Sequence, residues 1–386
     1  MSIYSIVDIT AYLFVICCSL RDNVRCQNRI ILWFLIAWTI LVSFRGYGVG
    51  NDTSGYAYFF SGNIYKSLNL QNYGTIDDPV EELEFGFIFI SKFLSIISSS
   101  PTFLFTVIAI VFFSGIYHLY RDKNTGAIGL LWLFTSTFSM MNIIYAARQC
   151  LSLGFFIWGI LLFDRSFIKI GLSSLFSKCN FKNKYFFGGV VFIILSLIVH
   201  RTSIFILVIY IIMSSIRIEK VMAYSLVIIS SVISLLFFSV WQNYFNLLFL
   251  SLDGVSFNDF SVLTRYQDTM EVENVSFLNI ISFVLPCIVS IYFATESEIK
   301  EKGFKMYITS ICLYNLFSSS TYMLRFIVIF FIIGYTSAIP KATSKNKVLQ
   351  LFYLAITSFY VWKMVNLYAN WPTHISSDLP YKFFWE

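Results

Sequence analysis

Residues 44–58 read Phe44-Arg45-Gly46-Tyr47-Gly48-Val49-Gly50-Asn51-Asp52-Thr53-Ser54-Gly55-Tyr56-Ala57-Tyr58, directly after the apolar run 30–44. An uninterrupted apolar helix gives way within two residues to glycines, a cation, a carboxylate and tyrosines. In lipid every backbone polar group must be satisfied within the segment, so an irregular glycine turn of this kind marks the edge of a membrane span. Gly46, Gly48, Gly50 and Gly55 also let the backbone approach a ligand closely.

Runs like 30–44 recur along the chain, at 3–20, 84–98, 102–119, 126–143, 149–163, 186–199, 203–216, 221–240, 277–295, 306–320, 324–340 and 348–366. With 58% hydrophobic and only 12% charged residues in 386, the chain is too apolar for a soluble protein. Continuous rather than alternating runs argue for helices and against a β-barrel. The fold class expected is an all-α polytopic membrane protein, with 1–386 forming one integral membrane domain. The run 3–20 has no basic leader and no small-residue cleavage site, and reads as a span rather than a signal peptide.

Basic residues orient the chain. Arg21, Arg25 and Arg29 share one loop, and Arg121 and Lys123 another. Arg165, Lys169, Lys178, Lys182 and Lys184 fill a third, with further clusters at 217–220, 300–305 and 341–347. The positive-inside rule makes these loops cytoplasmic. The outer side then receives a loop at 45–83, acidic through Asp77, Asp78, Glu81 and Glu82, and a second long loop at 241–276. Within the first, 56–70 is amphipathic and reads as an interfacial helix. An odd number of crossings must separate Arg45 from Arg121, yet two apolar runs lie between them. The short run 84–98, which carries Lys92, is therefore expected to dip in or lie along the interface, leaving about twelve spans, plus or minus one. The net charge of +6 needs no nucleic acid, because cytoplasmic loops supply it. The seven cysteines contain no CxxC pair and the three histidines lie far apart, so neither a disulfide framework nor a metal site is expected.

Five arginines break the charge rule: Arg45, Arg148, Arg201, Arg265 and Arg325 fall at or near the outer side. A single arginine at a helix end is most often an interface anchor. Five on the disfavoured side point elsewhere, since a planar fork of donors suits phosphate, and a pyrophosphate at headgroup level would offset their repulsion. Three groups could take or orient a proton near them: Asp52 in the glycine turn, Glu84 at the start of the next apolar run, and His200 at the end of another. If Arg45 pairs with Asp52 it keeps that carboxylate ionised and weakens it as a base, which favours Glu84 or His200. Outer-loop aromatics such as Tyr56 and Tyr266 could stack on sugar rings, although interfacial belts look the same. No P-loop, GxSxG or HExxH occurs, and GxGxG after an apolar helix is no dinucleotide fingerprint.

Phe44, Arg45, Gly48, Asp52 and Tyr56 form the pattern Phe-Arg-x-x-Gly-x-x-x-Asp-x-x-x-Tyr. With Glu84-Phe85-Gly86-Phe87, Ala147-Arg148-Gln149 and Val199-His200-Arg201-Thr202-Ser203 in order after it, the chain resembles the EpsG-like family of polysaccharide polymerases over about residues 40–205. The resemblance implies a Wzy-type O-antigen or exopolysaccharide polymerase of the bacterial inner membrane, GT-C-like in arrangement, with the site built by outer, periplasmic loops. It implies a glycosyltransferase that joins undecaprenyl-pyrophosphate-linked oligosaccharide repeat units and needs neither metal nor other cofactor. Asp52, Glu84 and His200 would be the catalytic candidates, the five arginines would hold pyrophosphate, and Gly48, Tyr56, Gln149 and Tyr266 would contact substrate. Its partners would be lipid-linked oligosaccharides, membrane lipids and a chain-length regulator protein. A flippase for the same units, or an O-antigen ligase, would share many of these features. A flippase must present charge to both sides, and here the unusual charges gather on one.

Overall fold

The computed structural model describes residues 3–19, 23–46, 53–61, 83–123, 126–136, 146–165, 184–253, 277–317 and 321–370. Among these the chain is all-helical, apart from one isolated bridge residue at Arg45. The apolar runs become α1 (Ile3–Ser19), α2 (Val24–Ser43), α4 (Phe85–Ile97), α5 (Pro101–Tyr120), α6 (Gly126–Ser136), α7 (Ala147–Arg165), α8 (Lys184–Val199), α9 (Ser203–Ser215), α10 (Lys220–Asp253), α11 (Phe277–Phe293), α13 (Lys302–Phe317), α14 (Thr321–Lys345) and α15 (Lys347–Asn370). Two short helices, α3 (Thr53–Ser61) and α12 (Glu296–Ile299), lie between them. α2, α5 and α7 are each long and apolar enough to cross a membrane. The protein is membrane-embedded.

The helices group into two compact units, residues 1–216 with 339–386, and residues 217–338. In the first, α5 packs against both α2 and α7, and α7 against α8. α1, α2, α6 and α15 pack beside them, tied by a hydrogen bond between the hydroxyls of Tyr12 and Ser358 and by Trp132 edge-on to Tyr353 and Tyr360. One end of this unit is a basic face. Asn23 caps α2 through its side-chain oxygen, which accepts from the backbone N–H groups of Arg25 and Cys26. Asn28 Nδ2 donates to Asp122 Oδ1 and Asp122 N–H donates back to Asn28 Oδ1, each at 2.9 Å. This clasp joins the start of α2 to the end of α5. Asp122 adopts φ 63°, a left-handed turn that aspartate tolerates.

The opposite end holds the functional candidates. Arg45, just past α2, lies over the ring of Phe105 in the opening turns of α5, 4.5 Å from its centroid. Glu84 reaches Arg148 and His200 there, and residues 98–100 lead from α4 straight into α5. α4 therefore begins and ends at one face. Its 13 residues span only about 20 Å, short of the ~30 Å hydrocarbon core. α5, unlike α4, is long and apolar enough to cross. α4 turns Phe85, Phe89 and Phe93 outward along one side, as a helix lying at an interface requires.

In the second unit, α10, α11, α13 and α14 pack around small and polar contacts. Asn315 Nδ2 donates to Ser230 Oγ and Ser231 Oγ at 3.0 Å, buried bonds between α13 and α10. Lys220 Nζ donates to the carbonyls of Tyr292 and Ala294 at the end of α11, a cationic cap at a helix C-terminus. A capping box of Thr295 and Glu298 starts α12. A Cβ on Gly334 would sit 2.6 Å from the Tyr307 Cα, so α13 and α14 approach too closely there for any side chain.

Three details differ from the sequence reading. α10 continues to Asp253, so the stretch read as the outer loop 241–276 begins as helix. α3 does not simply lie flat, since Tyr56, Ala57 and Phe60 are buried and the helix packs on α4 and α5. Cys26 is disulfide-bonded, although the sequence suggests no disulfide framework, and Cys17, Cys150, Cys287 and Cys312 are free. Scattered cysteines in apolar runs carry no pairing signal that spacing could reveal.

Candidate functional site

Four elements deliver one polar cluster. Glu84 is the residue before α4, in extended backbone, so its side chain stands at the positive end of that helix. Arg148 is the second residue of α7, and Tyr56 lies in α3. His200 ends α8, and a tight turn leads from it into α9, with Ser203 N–H donating to His200 C=O at 3.0 Å.

Glu84 uses both carboxylate oxygens. Oε2 accepts from Arg148 Nη1 at 2.7 Å, and Oε1 lies 2.8 Å from His200 Nδ1. Arg148 Nε donates to the Tyr56 hydroxyl at 3.0 Å. Tyr56 is fixed in turn edge-on against Phe87, with ring centroids 5.4 Å apart. The side chains are sheltered but reachable: 11% exposed for Glu84, 17% for His200 and 26% for Arg148. With Nδ1 turned to the carboxylate, the other ring nitrogen of His200, Nε2, is the atom that can take a proton from something bound beside it.

Burial alone would raise the Glu84 pKa. The hydrogen bond and charge of His200 and the charge of Arg148 outweigh burial and hold it at about 2, below its ordinary 4.5. A depressed carboxylate adds stability that is fully present above its unfolded value and lost as pH falls through its folded value. The cluster should therefore hold together from neutrality down through pH 4 and loosen only as pH falls toward about 2. Any acid limb in a pH–rate profile above pH 4 should then belong to a group other than Glu84. Measuring activity from pH 4 to 8 checks this, and a limb there that Glu84→Gln removes would contradict it.

A serine clamp places His200 over α7. Ser152, one turn after Arg148, has its Oγ 2.9 Å from the Ser196 carbonyl oxygen, 3.0 Å from Ser196 Oγ and 2.5 Å from Ser203 Oγ. Ser196 and Ser203 flank His200, so one hydroxyl of α7 grips both ends of the turn that carries the imidazole. On the other side, α4 meets α8 at Gly86. A Cβ there would lie 2.4 Å from Ile198 Cγ2 and 2.7 Å from the Ile198 carbonyl. Gly86→Ala should push α4 off α8 and separate Glu84 from His200, two residues away on each chain. A displacement of about 1 Å can cost about a hundredfold in rate. Activity measured against protein retained in the membrane separates that loss from unfolding.

Not every residue proposed from the sequence joins the cluster. Arg45 is 1% exposed and stacked on Phe105. It lies inside the protein rather than at an open surface. Gln149 is also buried, at the start of α7. Arg201 is exposed, next to His200. Asp52, Gly48, Arg265 and Tyr266 lie outside the described residues, as does the side chain of Arg325 on α14. Ser152 and Ser196 were not singled out from sequence, and Ser203 only as the last residue of the Val199–Ser203 motif, with no role of its own. Their only signal is spacing: Ser152 four residues after Arg148, Ser196 four before His200 and Ser203 three after it. Among the described residues no group of three His, Cys, Asp or Glu could hold a metal ion.

The described residues form a bundle of apolar helices with an arginine–carboxylate–imidazole cluster at one face, and its family match makes it a polysaccharide polymerase-like membrane protein, glycosyltransferase-like in general. The EpsG family model matches residues 28–383, nearly the whole chain, and the chain belongs to that family of Wzy-like polymerases. Neither the curated proteins nor the solved structures contain a match.

Proposed function

We propose that the protein polymerises polysaccharide repeat units carried on undecaprenyl pyrophosphate, at the outer face of the bacterial inner membrane. The observation that carries this reading is the Glu84 bridge between Arg148 and His200. It sets a fixed cation and an oriented imidazole side by side, the two groups that transfer from a glycosyl pyrophosphate requires. The acceptor hydroxyl, on the non-reducing sugar of a lipid-linked repeat unit, attacks the anomeric carbon of the growing chain. Its proton passes to His200 Nε2. The bond from the anomeric carbon to the pyrophosphate oxygen breaks, and the pyrophosphate leaves with the electron pair. Arg148 and the exposed Arg201 offset the charge that gathers on it. Fixed arginines supply this without a metal ion.

Glu84 is then a positioning residue. A carboxylate held at about 2 is a weak base, but it aims Nδ1 of the imidazole and stabilises the imidazolium that forms. Tyr56 sets the angle of Arg148 in the same way. Arg45, buried over Phe105, adds positive field rather than a ligand contact. On the sequence argument alone, Arg265 and Arg325 remain candidates for the pyrophosphate, Asp52 a catalytic candidate, and Gly48, Gln149 and Tyr266 candidates for substrate contact. The proposal carries a GT-C-like arrangement with about twelve crossings. A chain-length regulator is a proposed protein partner.

Surface polysaccharide from a deletion strain tests the reading. Glycan stopped at a single repeat unit supports polymerisation. Loss of all transferred chains would mean a ligase, and a build-up of inward-facing lipid intermediate would mean a flippase.

A further inference from the structure

Away from the Glu84 cluster, α1 and α2 enclose a groove of about 510 Å³. Ile6, Phe14, Trp33 and Ala37 are among the apolar residues that line it, and Arg29 is its one charged residue. The helices run antiparallel through a short loop, so Phe14, Cys26 and Arg29 stand at the basic face while Ile6 and Ala37 stand deeper. From Arg29 to Ala37 the groove follows α2 for about 12 Å, at ~1.5 Å per residue.

Arg29 is exposed and makes no ion pair among the described residues. Around it the face is cationic. Arg25 is exposed, and the nearby Asp122 is already shared between Arg121, at 3.5 Å, and Asn28, at 2.9 Å. A long apolar trough that ends at an exposed guanidinium on a cationic face has the chemistry to take a lipid with an alkyl chain and an anionic head. The polymerising face offers no competing explanation, because the groove opens at the other end of α2 from Arg45.

We propose that this groove binds an anionic glycerophospholipid, its phosphodiester on Arg29 and one acyl chain along Phe14, Trp33 and Ile6. The site is independent of the catalytic reading. Arginine near a membrane surface contributes selectivity for anionic lipid that converts to about fivefold in affinity per residue.

Native mass spectrometry of the detergent-purified full chain, titrated with phosphatidylglycerol or phosphatidylcholine, tests it. The wild-type protein should retain phosphatidylglycerol about fivefold more tightly. Arg29→Gln should abolish that preference, and Arg25→Gln, outside the groove, should leave it. Ala37→Trp, which fills the apolar end, should weaken both lipids alike, so the proposal stays testable if Arg29→Gln folds poorly. Equal binding of the two lipids by the wild-type protein would overturn it. So would a preference that survives Arg29→Gln, or binding untouched by Ala37→Trp.

Discussion

Arg148→Lys should lower polymer formation by about a hundredfold although the charge is kept. The reason is geometric. Arg148 donates through Nη1 to Glu84 and through Nε to Tyr56, two directions that one planar fork spans and one ammonium does not. With lysine, Tyr56 or Glu84 loses its donor and the cation moves off the position that faces the leaving group. Arg148→Ala should be worse on both counts. It removes the cation and leaves a sheltered carboxylate with His200 as its one remaining side-chain partner among the described residues, and breaking a buried pair by removing one partner costs about 3–5 kcal/mol. The 26% exposure of the Arg148 side chain places this case at the lower end of that range. Polymer length on a gel, normalised to the amount of folded protein in membranes, separates the two effects. Normal polymer from Arg148→Lys would remove Arg148 from the site.

The second large effect is expected at His200. Removing a general base costs about 10²–10⁴-fold in turnover, so His200→Gln should nearly abolish polymerisation. Glu84→Gln should cost less, because the imidazole remains and only its aim and its ionised partner are lost. The two residues act as a unit through a 2.8 Å contact. The double variant should therefore be no slower than His200→Gln alone, the non-additivity expected of coupled groups. If Glu84 were itself the base, the ranking of the single variants would reverse. Initial rates with lipid-linked repeat units, measured for all three variants, decide between these assignments.

Much of this arrangement can be read from the chain without coordinates, for a physical reason. A helix in lipid must be apolar over most of its length, so hydropathy alone marks α2, α5 and α7 and the shorter helices around them. Residues that break that pattern stand out, which is how Arg148, Glu84, His200 and Tyr56 are found. What sequence does not carry is which of them meet. Glu84 and His200 are 116 positions apart, and only the packing of α4 on α8 at Gly86 and of α8 on α7 at Ser152 brings them together. Arg45 illustrates the converse. It has the same sequence character as Arg148, yet it follows α2 inward onto the face of Phe105, where a guanidinium can be buried over an aromatic ring. Ser152 and Ser196 escape notice because a serine in an apolar helix usually bonds back to its own turn, as Ser231 does to Val227. The bond that Ser152 makes across helices leaves no mark in the chain itself.

The central claim is that this chain alone extends glycan on a lipid pyrophosphate carrier. Purified protein in lipid nanodiscs, supplied only with undecaprenyl-pyrophosphate-linked repeat units, tests it directly. The account predicts a ladder of products longer by whole repeat units, absent with His200→Gln. Repeat units recovered at their original length from folded wild-type protein would contradict it.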